Sequence, residues 1–199
     1  MFNMYPTLSD PTQVGATIDG INTIAGIGGD AAAASFTTMS AELVAMSSDG
    51  TRIAVGMPYA SSGAGQVRVL EESGGVWTLL GSAINGEAAD DGFGRTVAMS
   101  SDGTIVAVGG YANDGTGVDA GHVRVFQYVL AAWTQLGSDI DGEAAGDEFG
   151  SSVALAADGL TMAVGAPKNG DGGTNAGRCV RVRARKRARA RARSLTSSR

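Results

Sequence analysis

Three stretches of the chain repeat one alternation of apolar and turn-forming positions. VAMSSDGTRIAVGMP (44–58), VAMSSDGTIVAVGGY (97–111) and VALAADGLTMAVGAP (153–167) each read as a short apolar run, a tight Asp-Gly turn and a second apolar run. Asp-Gly between apolar runs is a strong hairpin signal, because a two-residue turn asks positive φ of both central residues. The run Ile105-Val106-Ala107-Val108 is apolar at successive positions, so both faces of that strand are expected to be covered. The next segment alternates, with Val123 and Val125 on one face and Arg124 on the other, and is expected to lie closer to solvent. Trp133 opens a fourth. In this copy the four segments run roughly over 94–99, 104–109, 122–128 and 132–140.

The spacing of the copies fixes the organisation. Trp77 and Trp133 lie 56 positions apart, as do Gln66-Val67-Arg68-Val69 and His122-Val123-Arg124-Val125. LLGSAINGEAADDGFG (79–94) returns as QLGSDIDGEAAGDEFG (135–150), again after 56 positions, and QVGATIDG (13–20) is an earlier, cut-off copy that reads as a lone strand. Four-stranded antiparallel sheets, each buried between two neighbours, describe an all-β protein of β-propeller blades. A β-solenoid is the alternative, but its usual repeats are much shorter. The reading divides the chain into a partial blade strand plus Gly/Ala-rich connector (1–35), blade 1 (36–86), blade 2 (87–142), a partial blade 3 (143–182) and a basic low-complexity tail (183–199). Within the connector, 30–38 reads as a short helix capped by Asp30, with strand over 40–46. GIGGD (26–30) lacks the strand–loop–helix setting of a phosphate loop. About three blades' worth of strands falls short of the usual 4–8. An incomplete propeller is expected, and with it a fragment of a longer protein or a truncated reading frame.

Composition agrees with many tight turns, since 31 of 199 residues are Gly against an average of about 7%. The net charge of −5 hides an asymmetry. Residues 1–177 hold all 20 acidic side chains against five basic ones, a net of −15, and the last 22 residues hold ten basic groups and no acid. One cysteine, Cys179, excludes an internal disulfide. No apolar run approaches the about 18 residues of a membrane helix, so no transmembrane segment is expected. MFNMYPTLSDP has neither a basic nor an apolar leader region, so no signal peptide is expected. Either the protein stays inside the cell or its true start is missing.

Phe149-Gly150, followed sixteen positions after the Phe by Gly165-Ala166-Pro167, resembles the FG-GAP repeat of integrin α-chain β-propellers. Phe93-Gly94 with Gly109-Gly110-Tyr111 is a second copy that has lost Ala-Pro, and Ser40-Ala41 with Gly56-Met57-Pro58 is a third, degenerate at the FG end. The resemblance covers roughly 13–182. It implies a seven-bladed, non-enzymatic propeller for adhesion or ligand binding, extracellular or at the cell surface, with a protein or glycan partner on its blade loops. Calcium-binding blades of that family carry a D-x-D-x-D-G loop in the hairpin. Here the hairpins keep one carboxylate each, Asp49, Asp102 and Asp158, too few for the 6–8 oxygens calcium takes. The family's calcium site is therefore not carried over, and no cofactor is expected.

The blade loops hold Asn113, Asp114, Asp119, Asp141, Glu143 and Asp147, oxygen donors that suit a hard cation. The competing reading, turn formation and solubility, is favoured because Asp141 is Asn85 in the preceding copy and Asp114 is Gly170 in the next. His122 is the only histidine, and no nucleophile or orienting group marks it as a base, so it reads as a surface residue at a strand start. Trp77, Trp133, Phe93 and Phe149 recur at fixed blade positions and read as packing residues. RVRARKRARARARSLTSSR (181–199) reads as a reading-frame change or early end of the repeat, as a disordered arm for a polyanion such as nucleic acid or an anionic membrane, or as a strand. A third reading makes the propeller a non-catalytic accessory to an enzyme.

Overall fold

A computed structural model of the protein describes residues 43–183. The lone strand expected at 13–20, the helix at 30–38 and the tail beyond Arg183 lie outside them. Among the described residues the ordered elements are thirteen β-strands, and no helix is long and apolar enough to cross a membrane. The first sheet takes β1 (Val44–Met46), β2 (Arg52–Met57), β3 (Gln66–Ser73) and β4 (Val76–Leu79) in that order, with β5 (Ile84–Asn85) also paired to β3. The second repeats the plan with β6 (Thr96–Met99), β7 (Ile105–Gly110), β8 (His122–Val129), β9 (Ala132–Gln135) and β10 (Ile140–Asp141). The third has β11 (Ser152–Leu155), β12 (Thr161–Ala166) and β13 (Arg178–Arg183). All pairings between named strands are antiparallel, and the three sheets do not close into a ring. This is part of a β-propeller.

The expected fourth segment is broken in two in each full blade. Gly81 (φ 73°) and Gly137 (φ 88°) turn the chain left-handed after β4 and β9, so the outermost position is filled by two short pieces along one long neighbour. Residues 178–183 form an ordered strand: Val180 and Val182 pack inward while Arg181 and Arg183 alternate outward.

The successive apolar residues of β7 serve two interfaces. Val106 and Val108 join Ala54, Val67, Val69 and Phe93 between the first two sheets. Ile105 and Ala107 face the other way, with Val123, Val125, Phe149, Met162 and Val164 between the second and third. The alternating β8 is more deeply buried than its pattern suggests: His122, Val123, Val125 and Phe126 are all buried, and the strand reaches solvent only near Val129. A neighbouring blade on each side covers both faces, which alternation within one strand cannot reveal.

The Asp-Gly hairpins also differ from the expected two-residue turn. Only Gly50, Gly103 and Gly159 have positive φ. Gly50 donates its N–H to Ser47 O (3.0 Å) and Gly103 to Ser100 O (2.9 Å), making a longer loop with a single left-handed residue. The aspartate stabilises it from within. Asp49 Oδ1 accepts from the Ser47 hydroxyl (2.6 Å), Thr51 N–H (3.0 Å) and the Thr51 hydroxyl (2.9 Å), and Asp102 repeats this with Ser100 and Thr104. Successive hairpins are joined: Ser48 N–H donates to Ser101 O (2.9 Å) and Ser101 N–H to Ala157 O (3.0 Å).

Candidate functional site

The Phe-Gly pairs sit where one blade gives way to the next. Phe93 and Phe149 make parallel bridges to Gly65 and Gly121 of the preceding blade, and their rings are buried between sheets. Gly94 and Gly150 donate their N–H groups to Gly109 O and Gly165 O of their own blades, both at 3.0 Å. Trp133 Nε1 donates to Leu80 O (2.7 Å) across the blade boundary and the ring leans on Tyr128. Trp77 packs beside Ile53, Val55 and Leu70. The aromatic positions are therefore structural, as their recurrence implies.

The six loop candidates do not converge on one point. Asn113 and Asp147 are buried in equivalent networks of successive blades. Asn113 Nδ2 donates to Asp91 Oδ2 (3.1 Å), and Asn169 Nδ2 donates to Asp147 Oδ2 (2.8 Å). The same carboxylates accept Ala88 N–H (3.0 Å) and Ala144 N–H (3.1 Å), tying the junction to the loop after β7 or β12. Asp114 Oδ1 accepts Asp119 N–H (2.9 Å), Asp141 lies on β10, and Glu143 pairs with Arg178. Turn chemistry accounts for Asn113, Asp114 and Asp147 and an ion pair for Glu143, whereas the Asp119 side chain borders a hollow at the loop ends.

Sequence reasoning misplaced His122. It is fully buried, not a surface residue, and both ring nitrogens lack a hydrogen-bond partner. It opens β8 opposite the last residue of β7, Gly110. A Cβ at Gly110 would lie 2.9 Å from Nε2, so only glycine leaves room for the ring. Phe93 presents an edge to it, with centroids 6.0 Å apart. Nδ1 points outward toward Asp139 Oδ2 at 3.8 Å. Glu87, from the blade junction, completes a group whose three donor atoms all lie within 4.8 Å of one another. Burial pushes the His122 pKa below its ordinary value; Asp139 and Glu87 pull it back up, and Arg124 pushes it down again.

Arg124 sits beside this group without closing it. Its guanidinium stacks over Phe93 and Phe126 (5.4 and 5.2 Å) and donates to Gln135 Oε1 (2.9 Å from Nη2) and Asn85 O (3.3 Å). It reaches Glu87 and Asp139 only at 3.5 and 3.7 Å, beyond the about 2.7–2.9 Å of a charge-assisted hydrogen bond. Gln135 Nε2 donates to Asp139 Oδ1 (2.5 Å), which leaves Oδ2 turned to the histidine.

A second feature lies where the second strand of each sheet ends. Two adjoining hollows of about 350 and 360 Å³ share Tyr59, Arg95, Tyr111 and Glu148, and Pro58 and Pro167 extend their walls. Tyr59 is 71% exposed. Lys168 Nζ bonds Glu148 Oε1 (2.5 Å), a contact that raises the lysine's pKa. Nothing in the single sequence marked this surface, because its members come from five separate loops.

These sheets and their glycine-tight junctions define a β-propeller-repeat protein. Residues 139–179 match the FG-GAP repeat family, over the first two strands of the third sheet and the junction leading into it. No curated protein matches the chain. Among solved structures it is similar to TolB from Acinetobacter baumannii, at 13% identity and a TM-score of 0.38, over 72% of this chain and 32% of that one. The chain thus spans about a third of the length of that structure.

Proposed function

We propose that the protein is a non-enzymatic binding or adhesion module that takes a protein or glycan partner on its blade loops. The loop-end groove is the observation that carries this reading. An exposed Tyr59, the phenol of Tyr111, the guanidinium of Arg95 and the carboxylate of Glu148 border one concave surface. Aromatic faces with a few placed polar groups are what selective ligand surfaces use. These four, with Asp119 at one wall, line a space large enough for a sugar residue or a side chain.

The test is a screen of the full chain against glycan and peptide arrays, followed by titration of each hit. Tyr59→Ala and Glu148→Gln should weaken the genuine hit about tenfold or more, since anchor residues contribute at least about 1–2 kcal/mol. Hits that survive both substitutions would place the binding surface elsewhere.

A further inference from the structure

We propose that Glu87, His122 and Asp139 form a site for a divalent first-row transition-metal ion of the zinc class. A fully buried imidazole with two unpartnered nitrogens is costly, because an unmet buried polar atom keeps its desolvation penalty. Its Nδ1 faces a carboxylate at a distance too long for a hydrogen bond, 3.8 Å to Asp139 Oδ2. A metal ion bonded at about 2.0–2.2 Å to nitrogen and oxygen holds neighbouring tetrahedral ligands about 3.3–3.5 Å apart. The gap is therefore wider than the ligand spacing of such an ion by less than about half an ångström. Glu87 has a side chain 47% exposed, so it can swing in from its position within 4.8 Å of the other donors.

The surroundings are arranged as a ligand set. Asp139 has its oxygens divided: Oδ1 is held by Gln135, and Oδ2 is left for the ion. Orienting bonds of this kind from beyond the ligands are typical of metal sites. One nitrogen and two carboxylates suit zinc and its neighbours, whereas calcium takes 6–8 oxygens and has little use for imidazole. Two carboxylates against one guanidinium leave the group one charge negative while the histidine is neutral, which favours an added cation. Nε2 packs over Gly110 without an acceptor, so the usual outer bond to the ligating imidazole is missing. That bond is typically worth about 10–100-fold in affinity, and the expected dissociation constant is accordingly micromolar.

The described residues of the other blades do not repeat the arrangement. The residues at the His122 position are Gln66, His122 and Arg178, and those opposite are Met57, Gly110 and Ala166. Asp139 replaces Ala83. In blade 3, Glu143, the counterpart of Glu87, already holds a cation, Arg178. The imidazole, the glycine that makes room for it and the second carboxylate occur together.

The experiment is calorimetric titration of zinc, cobalt(II), calcium and magnesium into the full, untagged chain carrying Cys179→Ser, which removes the exposed thiol as a competing ligand. Zinc should bind at one site per chain, and bound cobalt should give a visible spectrum distinct from the aquo ion. Asp139→Ala and His122→Gln, each the residue of blade 1, should weaken zinc about tenfold or more. Asp139 lies at the surface side of the group, so Asp139→Ala decides the matter should His122→Gln fail to fold. Absence of saturable zinc binding would overturn the proposal. So would zinc binding unchanged in Asp139→Ala, or calcium binding as tightly as zinc at the same residues. Each outcome leaves the groove untouched, since Tyr59 and Glu148 are not ligands here.

Discussion

Gly109→Ala tests whether the sheets approach as closely as the structure shows. A Cβ at Gly109 would sit 2.2 Å from Gly150 O and 2.3 Å from Thr96 Oγ1. Its φ is not left-handed, so the cost is one of space alone. The methyl would fall between a donor and its acceptor, because the buried Thr96 hydroxyl donates to Gly150 O at 2.7 Å. Neither atom can retreat easily, one being backbone of the third blade and the other a strand residue of the second. Overpacking costs about 1–3 kcal/mol, and a broken buried hydrogen bond adds about 1–3 kcal/mol. The total, about 2–6 kcal/mol, is a large part of the about 5–15 kcal/mol that holds a typical domain.

Urea unfolding of the full chain reads this loss. At a slope of about 2 kcal/mol per molar, the midpoint should fall by about 1–3 M with the slope unchanged. Two other glycines separate the causes. Gly170→Ala adds a methyl whose nearest neighbour is 3.9 Å away at ordinary φ, and should stay within about 0.5 kcal/mol of the parent. Gly75→Ala meets no atom within 4 Å but has φ of 85°, and should cost about 1–2 kcal/mol from left-handed strain. A Gly109→Ala protein as stable as Gly170→Ala would refute the close approach and the inter-blade packing built on it.

Two more predictions concern the hairpin aspartates. Hydrogen bonds from the Ser47 hydroxyl and then from Thr51 lower the Asp49 pKa to about 2; at Asp102 burial opposes ionisation, but bonds from Ser100 and Thr104 outweigh it and hold the pKa below its ordinary value. Lowered folded values give stability that is present above the unfolded value of about 3.9 and lost as pH falls through the folded one; the advantage of the parent over Asp49→Asn/Asp102→Asn should thus be full at pH 7 and shrink from about pH 4 down to about pH 2. An advantage equal at pH 7 and pH 2 would exclude the ionised carboxylates as its source. Because Asp49, Asp102 and Asp158 already accept bonds from their own loops, we also expect micromolar calcium to give little or no heat, and a saturable isotherm lost on Asp102→Asn would restore the family's hairpin site.

The sheets were legible because their signals are local and repeated. Ile105 to Val108 declare a strand with two buried faces, and the copies at 44, 97 and 153 place three such strands in one register. The split of the fourth strand was not legible, since nothing in the periodicity of 132–140 shows that Gly137 turns left-handed. His122 was misread for a related reason. Its position beside a loop suggests exposure, while its burial comes from Phe93 at the blade junction and Gly110 on the adjacent strand. Asp139 carries no signal of its own in the sequence, and its partner at 122 could be found only by comparing strands that pair across the sheet.

The repeat signature and the candidate site therefore occupy different residues, for a physical reason. Phe93, Gly94, Gly109 and their equivalents are fixed by contact between consecutive blades: a buried ring, an amide bonded to its own blade, and backbone pressed on backbone where a Cβ cannot fit. Any blade that stacks on another needs them, so they identify the fold and are silent about the ligand. What is peculiar to this protein must lie where stacking permits variation. Blade 2 differs from blade 1 at 110, 122 and 139 and from blade 3 at 110 and 122, and these residues bring together a glycine that leaves room for the ring, an unpartnered imidazole and a facing carboxylate. A single substitution among them would be costly, since His122 opposite a side chain like Met57, in place of Gly110, would collide, and His122 without Asp139 would keep a buried nitrogen facing Glu87 alone in the cluster. Their joint presence is the feature that stacking alone does not require.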